Sequence, residues 1–357
     1  MPHRGTFLSL TSMTVSSVSQ KLPISVICPV RNCQAALPEH AAHLRMLAPL
    51  VEEILVVDSQ STDGTAEYLR EALAETGARF LDHPPGLYPS WNYGISQATQ
   101  PYLTVATVGD PLPATSLVRL HETMEKLQAD VVISAPSFIG SDGKPSDFKW
   151  PIHEFLEISG LQDAMVIPPK IWMLFTFFHL PSSLLSSSAG NLYRTDFLQN
   201  HPFPSIYGHA GDSMWALEMG MKTRWVIDPK VKSYFWMHED SAEKERMNVP
   251  LVKKIRETSS QNFRTHHQAL LDQGVSNQIL EEAHLSLDNC TQLTLVKQRY
   301  RSVRKPFIPW FFQPEAIRLK REKKSITQLK KKRNRQLKEY IRQLIKHSVP
   351  ETQTMSS

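Results

Sequence analysis

Three apolar segments near the start of the chain each stop beside a polar side chain. The segments ISVICPV, EEILVV and YLTVATV are followed within two residues by Asn32, Asp58 and Asp110. Apolar runs of this kind are typical of strands that are buried on both faces of a parallel sheet. Because the carboxyl ends of such strands line the ligand crevice of an open sheet, the pattern predicts a nucleotide site at this edge.

Helical patterns alternate with these segments. We predict strands over 24–30, 53–58, 78–83, 102–108 and 129–139, and helices over 36–48, 65–77, 90–99 and 115–128. Such alternation implies right-handed crossovers and a parallel sheet. Beyond residue 140 the regularity fades, apart from a loop–helix–strand unit over 207–229 and helical patterns over 250–300 and 315–346.

Charge is distributed unevenly along the chain. The formal net charge is +5, but residues 315–346 hold thirteen Lys and Arg against three Glu, which leaves the remainder at −5. Apolar residues recur at helical spacing in this tail, so we expect an amphipathic basic helix. It fits a solvated helix packed on the body, or a helix lying on an anionic membrane surface. No aromatic residues alternate with the basic run over 330–335, and the tail has no known nucleic-acid-binding motif. It therefore does not indicate nucleic-acid binding.

Cysteine usage and hydropathy point to a compartment. The three cysteines, Cys28, Cys33 and Cys290, show no CxxC spacing, which fits a reducing cytosol. The first 20 residues lack the apolar core of a signal peptide. The stretch 166–185 is interrupted by prolines and a lysine and is too short to span a membrane. We therefore expect a cytoplasmic protein whose basic tail can contact the inner face of the membrane.

The motifs at the strand ends resemble those of the family 2 glycosyltransferases of GT-A fold. ISVICPVRN is similar to a strand ending in Pro-x-Tyr-Asn, ILVVDSQSTDGT to Val-Asp-x-x-Ser-x-Asp-Gly-Thr, and SWNYG to Arg-Asn-x-Gly. The later segment GDSMWALEMG resembles the acceptor-side helix of that family, and the resemblance covers about residues 24–240. It implies an α/β GT-A fold, a mostly parallel sheet flanked by helices, with a C-terminal helical extension.

The resemblance also implies a division of the chain and a reaction. We expect a lead-in over 1–20, a GT-A domain over 21–250, a helical extension over 251–313, and a basic amphipathic helix and tail over 314–357. The implied reaction is transfer of a hexose-type sugar from a nucleoside-diphosphate sugar to an acceptor hydroxyl with inversion. The resemblance leaves the acceptor open among a glycan, a lipid-linked sugar and a protein. We expect a role in polysaccharide biosynthesis.

Four residues at the first two strand ends are candidates for donor binding. The resemblance implies that Asp58 contacts the nucleotide base; the alternative is a turn-forming Asp that bonds nearby amides. Pro29 and Asn32 lie at the first strand end. Arg31 stands where the family has Tyr, and an Arg there can stack on a base, reach a phosphate or remain a solvated surface residue.

Two later residues take their expected roles from the resemblance. Asn92 lies in the Arg-Asn-x-Gly segment, where it either bonds the sugar or braces the loop, and Trp91 replaces the Arg. Asp212 corresponds to the catalytic base that deprotonates the acceptor, and a position at a helix N-terminus favours its ionised form. The alternative for Asp212 is an ordinary N-cap residue.

The metal motif of the family is degenerate in this chain. The family has Asp-x-Asp here, whereas this chain reads Thr107-Val108-Gly109-Asp110. Mg²⁺ or Mn²⁺ can still draw on one carboxylate plus the substrate phosphates, so Asp110 remains a candidate ligand and donor-site residue. His238 occupies the region where GT-A enzymes often place a late metal-binding His. The alternative is that the metal site has been lost.

Two other functions remain open. The missing acids at 107 and 109 also fit a catalytically inactive glycosyltransferase-like protein that binds ligands or regulates a partner. A nucleotidyltransferase is a weaker alternative, because that class normally has a glycine-rich first loop, and the loop CPVRNCQAAL contains no glycine.

Overall fold

The computed structural model describes residues 20–237, 249–304 and 313–348. The strands are β1 (Leu22–Val30), β2 (Val51–Asp58), β3 (Arg79–Asp82), β4 (Tyr102–Val105), β5 (Val131–Ile133), β6 (Ser137–Ile139), β7 (Pro145–Ser146), β8 (Met165–Val166), β9 (Leu192–Arg194), β10 (Trp225–Ile227) and β11 (Tyr234–Trp236). The helices are α1 (Leu37–Leu47), α2 (Thr65–Ala72), α3 (Leu87–Gln97), α4 (Ala114–Leu127), α5 (Pro151–Ser159), α6 (Pro169–His179), α7 (Thr195–Asn200), α8 (Gly211–Glu218), α9 (Val249–Asp272), α10 (Asn277–Val303) and α11 (Pro314–Ser348).

Eight strands form one mostly parallel sheet in the order β3-β2-β1-β4-β9-β5-β10-β8. β1 is hydrogen-bonded in parallel to both β2 and β4, while β9 and β8 run antiparallel to their neighbours. The expected α/β architecture is therefore confirmed. The register pairs Val30 with Asp58, so the ends of β1 and β2 lie level at the carboxyl edge of the sheet.

One predicted strand is divided in the structure. Residues 129–139 were expected to form a single strand, but they form β5 and β6, which belong to different sheets. Pro136 lies between the two, and a proline cannot donate to a ladder, which favours a break there. β6 instead pairs with β11 and β7 in a small second sheet. The backbone of β11 bonds Asp110 in the loop after β4, which is described below.

Alternate residues of the buried strands face two apolar layers. Val26, Cys28 and Val56 pack in a cluster with α1, α2 and α4 on one face of the sheet. Ile27 and Val57 pack with α3, α6 and α8 on the other. The apolar stretch around α6 is core, because every side chain from Ile171 to Phe178 is buried. It is therefore part of the protein interior.

The C-terminal helices pack back on the body. Leu337, Ile341 and Ile345 of α11 are buried in the same layer as α6, as the apolar stripe of the tail predicts. At the distal end of the helices, α10 and α11 enclose a small cluster of their own, made by Leu293, Val296, Leu319 and Ile326. Within the described residues, no helix has the length and apolar character that a membrane span requires.

Candidate functional site

Asp58 ends β2 at the carboxyl edge of the sheet, with only 6% of its surface exposed. Its Oδ2 accepts a hydrogen bond from the backbone N–H of Ser61 at 3.1 Å. Its Oδ1 is buried and has no hydrogen-bond partner. A buried carboxylate oxygen without a donor is costly, so this atom is suited to a donor group supplied by a ligand. The turn-forming alternative accounts for one of the two oxygens only.

The turns that follow β1 and β2 are joined through Asn32. Its Oδ1 accepts from the Thr62 N–H at 2.8 Å, and its own backbone N–H donates to Ser61 Oγ at 3.0 Å. The backbone φ of Asn32 is +45°, in the left-handed region that Asn tolerates better than most residues. Asn32 therefore shapes the edge beside Asp58. Arg31 is exposed and Pro29 is half-buried at the same strand end.

Asn92 on α3 braces a distant loop. Its Nδ2 donates to the backbone carbonyl of Phe203 at 2.8 Å, and its Oδ1 accepts from the Phe203 N–H at 3.0 Å. Both ends of the amide are thus committed to one peptide segment, as the bracing alternative predicts. The contact to a sugar stays a prediction. Trp91 is buried, with its ring edge-on to Phe203, and fills the space between helix and loop.

Asp110 lies in the loop after β4 and is buried. Its Oδ2 accepts from Thr107 Oγ1 at 2.7 Å, and its Oδ1 accepts from the backbone N–H of Trp236 in β11 at 3.2 Å. Burial raises the pKa of Asp110 from its ordinary value to about 7, while hydrogen bonds from Thr107, Trp236 and the Ser187 side chain act in the opposite direction. Asp110 thereby ties the loop over 107–110 to the second sheet.

Of the two residues predicted to bind a metal, Asp110 is within the part of the chain that the structure describes. Among the described residues, no group of three His, Cys, Asp or Glu side chains lies close enough to hold an ion. With hydrogen bonds from Thr107, Trp236 and Ser187, the Asp110 carboxylate keeps one of its four acceptor positions, which fits one bond to a cation whose shell is completed by a diphosphate. His238 lies outside the described residues.

Asp212 lies in the first turn of α8 and is half-buried. Its Oδ1 accepts from the backbone N–H of Ser213 at 2.6 Å. Burial raises its pKa from 3.8 to about 6, although hydrogen bonds from Ser213 and Tyr88 and the charge of His209 favour the ionised form. A carboxyl with a pKa near neutrality is suited to taking up a proton, which is what a general base requires.

The loop before Asp212 is held against α3. A Cβ on Gly211 would lie 2.5 Å from the Pro204 carbonyl oxygen and 2.5 Å from the Tyr88 ring, so only glycine fits at this position. Tyr88 donates its hydroxyl to the His209 carbonyl at 3.2 Å and accepts from the Asp212 N–H at 3.0 Å. Sequence reasoning missed Tyr88, because a Tyr on the apolar face of a helix is indistinguishable from a core residue.

Helix α3 connects the two halves of the site. Ser90 on α3 bonds the hydroxyl of Ser59, the residue after Asp58, at 2.7 Å. Two residues earlier on the same helix, Tyr88 holds the Asp212 loop. Asn32, Asp58 and Asp110 follow neighbouring strands of the sheet, as predicted, and α3 links this edge to Asp212.

This architecture defines a class of protein. A mostly parallel sheet with acids and amides at its carboxyl edge, and a small second sheet beside them, is the GT-A fold. Residues 25–180 match the family model described as Glycosyl transferase family 2. The match covers the part of the chain that contains β1 to β8, and the fold agrees with it.

Solved structures with this fold include the S. aureus protein TarS. The crystal structure of TarS 1-349 has a TM-score of 0.53 and 14% identity, over 80% of this chain and 76% of that chain. TarS 1-349 in complex with UDP-GlcNAc has a TM-score of 0.51 and 13% identity, over 90% of this chain and 92% of that chain. At such identities the likeness concerns the fold. No curated protein matches the chain by sequence.

Proposed function

We propose that this protein is an inverting glycosyltransferase that moves a hexose-type sugar from a nucleoside diphosphate to an acceptor hydroxyl. The observation that carries the proposal is the buried Asp58 carboxylate at the crevice, whose Oδ1 has no donor within the protein. The family 2 match over residues 25–180 includes this residue. A structural neighbour binds UDP-GlcNAc, which makes that sugar nucleotide the first donor to test.

Each candidate residue takes a separate role in a single displacement. Asp58 holds the nucleotide through its unpaired oxygen, with Pro29, Arg31 and Asn32 forming the adjacent edge. The acceptor oxygen attacks the anomeric carbon as the bond from that carbon to the diphosphate oxygen breaks. Asp212 takes the hydroxyl proton, and the nucleoside diphosphate leaves with the bonding electrons. Attack from the face opposite the leaving group inverts the anomeric centre.

A divalent cation, Mg²⁺ or Mn²⁺, is part of this proposal. When bound, it would offset the negative charge that develops on the leaving diphosphate. We assign the Asp110 carboxylate as its first protein ligand. We assign His238 as the second ligand from the sequence alone.

The experiment is a panel of nucleoside-diphosphate sugars, including UDP-GlcNAc, assayed for binding by calorimetry and for turnover with Mn²⁺, Mg²⁺ or EDTA. We expect one donor to bind and to be turned over slowly to water, with Asp212→Asn retaining the affinity and losing the turnover. Asp272→Asn is a control that makes the same change at an exposed carboxylate of α9. Folded protein that binds no member of the panel would refute the proposal.

The degenerate metal motif favours a second candidate, a catalytically inactive binding or regulatory protein. Thr107 and Gly109 stand in place of two acids, and the Asp110 side chain bonds Thr107 and β11. Donor binding that EDTA does not weaken, with turnover equal in wild type and Asp212→Asn, would support this candidate over the enzyme.

We also propose that α11 makes peripheral contact with an anionic membrane at the cytoplasmic face. Nine cations of this helix are exposed: Arg318, Lys320, Arg321, Lys324, Lys331, Lys332, Arg335, Arg342 and Lys346. Each Lys or Arg near an anionic leaflet contributes about 1 kcal/mol of attraction, and lipid-linked acceptors reside at such a surface. Co-sedimentation with vesicles containing phosphatidylserine, absent with phosphatidylcholine alone and lost in Lys331→Glu/Lys332→Glu, is the expected result. Equal recovery with both vesicle types would refute the contact.

A further inference from the structure

His43 on α1 contacts the loop that carries Asp110. Its Nε2 lies 2.9 Å from the carbonyl oxygen of Leu112 and 3.1 Å from the backbone nitrogen of the same residue. Both backbone groups of one loop residue therefore face a single imidazole nitrogen. Leu112 follows Asp110 by two residues, so this contact joins α1 to the loop close to the carboxylate assigned to the metal.

The imidazole of His43 bonds the loop in either of its neutral forms. A neutral imidazole donates from the nitrogen that carries the hydrogen and accepts at the other. Nε2 therefore either donates to the Leu112 carbonyl or accepts from the Leu112 N–H. Burial lowers the pKa of His43 from its ordinary value, although the bond to Leu112 acts in the opposite direction, so the ring is neutral at pH 7. Each tautomer keeps one hydrogen bond between α1 and the loop.

The segment that joins Leu112 to Asp110 is stiff. Pro111 and Pro113 have rings that fix their backbone φ angles. Asp110 and Leu112 each precede a proline, and a residue in that position strongly favours extended backbone. Because prolines carry no N–H, the Leu112 N–H is the backbone donor of residues 111–113. A hydrogen bond that holds Leu112 consequently limits where the Asp110 backbone can lie.

The loop is held from two sides. On the side of the second sheet, Asp110 Oδ1 accepts from the Trp236 N–H at 3.2 Å. On the opposite side stands α1, which is itself fixed to the sheet, since the Nε2 of the buried His40 lies 3.0 Å from Cys28 Sγ in the middle of β1. The ring centroid of His43 lies 6.3 Å from that of His40. His43 thus extends a rigid helix to the loop.

We propose that His43 is a positioning residue for Asp110: its imidazole holds Leu112, and the stiff segment between them carries this restraint to the Asp110 carboxylate. This role rests on the proposed function, in which Asp110 binds a cation beside the diphosphate of the donor. His43 acts through Leu112 and does not touch the donor. The protein uses the same device elsewhere, because the Asn92 amide bonds the N–H and the carbonyl of Phe203.

The first test measures hydrogen exchange of the Leu112 amide by NMR in full-length protein without any ligand. His43→Leu removes the hydrogen bond and keeps an apolar side chain of helix-forming type, and His43→Ala serves in its place should the leucine variant not fold. His43→Gln keeps both a donor and an acceptor, as the Asn92 amide does. His121→Leu is the matched control, since it makes the same change on α4, where the ring packs against Tyr102.

We expect exchange at Leu112 to be about tenfold faster in His43→Leu, because the loss of one hydrogen bond of ordinary strength corresponds to about that factor. The wild-type rate should return in His43→Gln and persist in His121→Leu. Unchanged exchange at Leu112 in His43→Leu would overturn the proposal.

The second test measures the affinity for UDP by calorimetry, once with Mn²⁺ and once with EDTA. We expect His43→Leu to weaken UDP binding about 10- to 100-fold with Mn²⁺, as loss of a group that orients a metal ligand does. The affinity in EDTA should stay unchanged, because the contacts of Asp58 at the carboxyl edge are not altered, and His43→Gln should restore the affinity with Mn²⁺.

The two tests together separate this proposal from the proposed function. A loss of UDP affinity that is equal with Mn²⁺ and with EDTA, or that His43→Gln does not restore, would assign His43 a general structural role and overturn the proposal. Wild-type binding of UDP that Mn²⁺ does not strengthen would reject the cation site and this role with it. Faster exchange at Leu112 in folded His43→Leu, when the wild type binds no nucleotide, would retain the bond from α1 to the loop and reject the transferase.

Discussion

Replacing Asp212 by Asn should stabilise the protein while abolishing sugar transfer. Burial raises the pKa of Asp212 from 3.8 to about 6, so the folded protein binds this proton more tightly than the unfolded chain does. Stability is therefore highest below pH 3.8, falls as the pH rises through the interval up to about 6, and stays low above it. At neutral pH Asp212 is ionised, and its burial in the folded protein makes this charged form less stable there than in the unfolded chain.

The size of the effect follows from the shift. About two pKa units at 1.36 kcal/mol each give a stability gain of about 3 kcal/mol for Asp212→Asn at pH 7. With an unfolding entropy of roughly 2.1 cal/mol/K per residue, this corresponds to a rise in Tm of about 4 °C. Near pH 4 the gain should nearly vanish, because protonated Asp and Asn have the same shape and charge. A stabilised but inactive variant is typical of a catalytic group that is held in a costly environment.

Scanning calorimetry of both proteins from pH 4 to pH 8, with donor affinity measured alongside, checks this prediction. Asp272→Asn, at an exposed carboxylate of α9, is the control for a carboxylate-to-amide change. A Tm difference that is zero at pH 7, or that is the same at pH 4 and pH 7, would refute the view that Asp212 is held with a raised pKa. Loss of donor affinity in Asp212→Asn would contradict a role in the acceptor step.

Three other variants test Asp58 at the carboxyl edge of the sheet, Asn92 on α3, and Gly211 in the loop before Asp212. Asp58→Asn should weaken binding of UDP about 10- to 100-fold in calorimetry, because a charge-assisted contact contributes about 1.5–3 kcal/mol; unchanged affinity would leave Asp58 as a turn residue. Asn92→Ala should lower the free energy of unfolding in urea by about 2 kcal/mol through its two lost bonds to Phe203, with UDP affinity retained. Gly211→Ala should lower Tm through about 1–3 kcal/mol of overpacking against the Pro204 carbonyl, and a wild-type Tm would show that the loop can move.

The sheet and its functional edge could be predicted because their signals are local. Unbroken apolar runs that end at Asn32, Asp58 and Asp110 predict buried strands and a polar edge, and parallel pairing places those ends side by side. The stripe through Leu337, Ile341 and Ile345 likewise identified the buried face of α11. Each of these features depends on residues that are near one another in the chain.

The roles of individual polar side chains could not be predicted in the same way. The Asn92 amide makes both of its hydrogen bonds to the backbone of Phe203, 111 residues away. Asp110 accepts from the Trp236 N–H, 126 residues away. A sequence motif specifies the type of side chain at a position but carries no information on which distant backbone groups will satisfy it. The division of 129–139 between two sheets has the same origin, since the partner strands of β6 lie elsewhere in the chain.

The sequence by itself determined the α/β architecture, the carboxyl edge of the sheet and the chemical types of its residues, because hydrophobic periodicity and strand-end polarity are encoded over a few neighbouring positions. Only the tertiary structure decided which of these polar groups remain free to bind a ligand and which are bonded within the protein. It left Asp58 Oδ1 without a partner, committed Asn92 to a loop, and brought the Tyr88 hydroxyl to Asp212. The physical reason is that burial and hydrogen-bond competition are settled by packing between segments far apart in the chain.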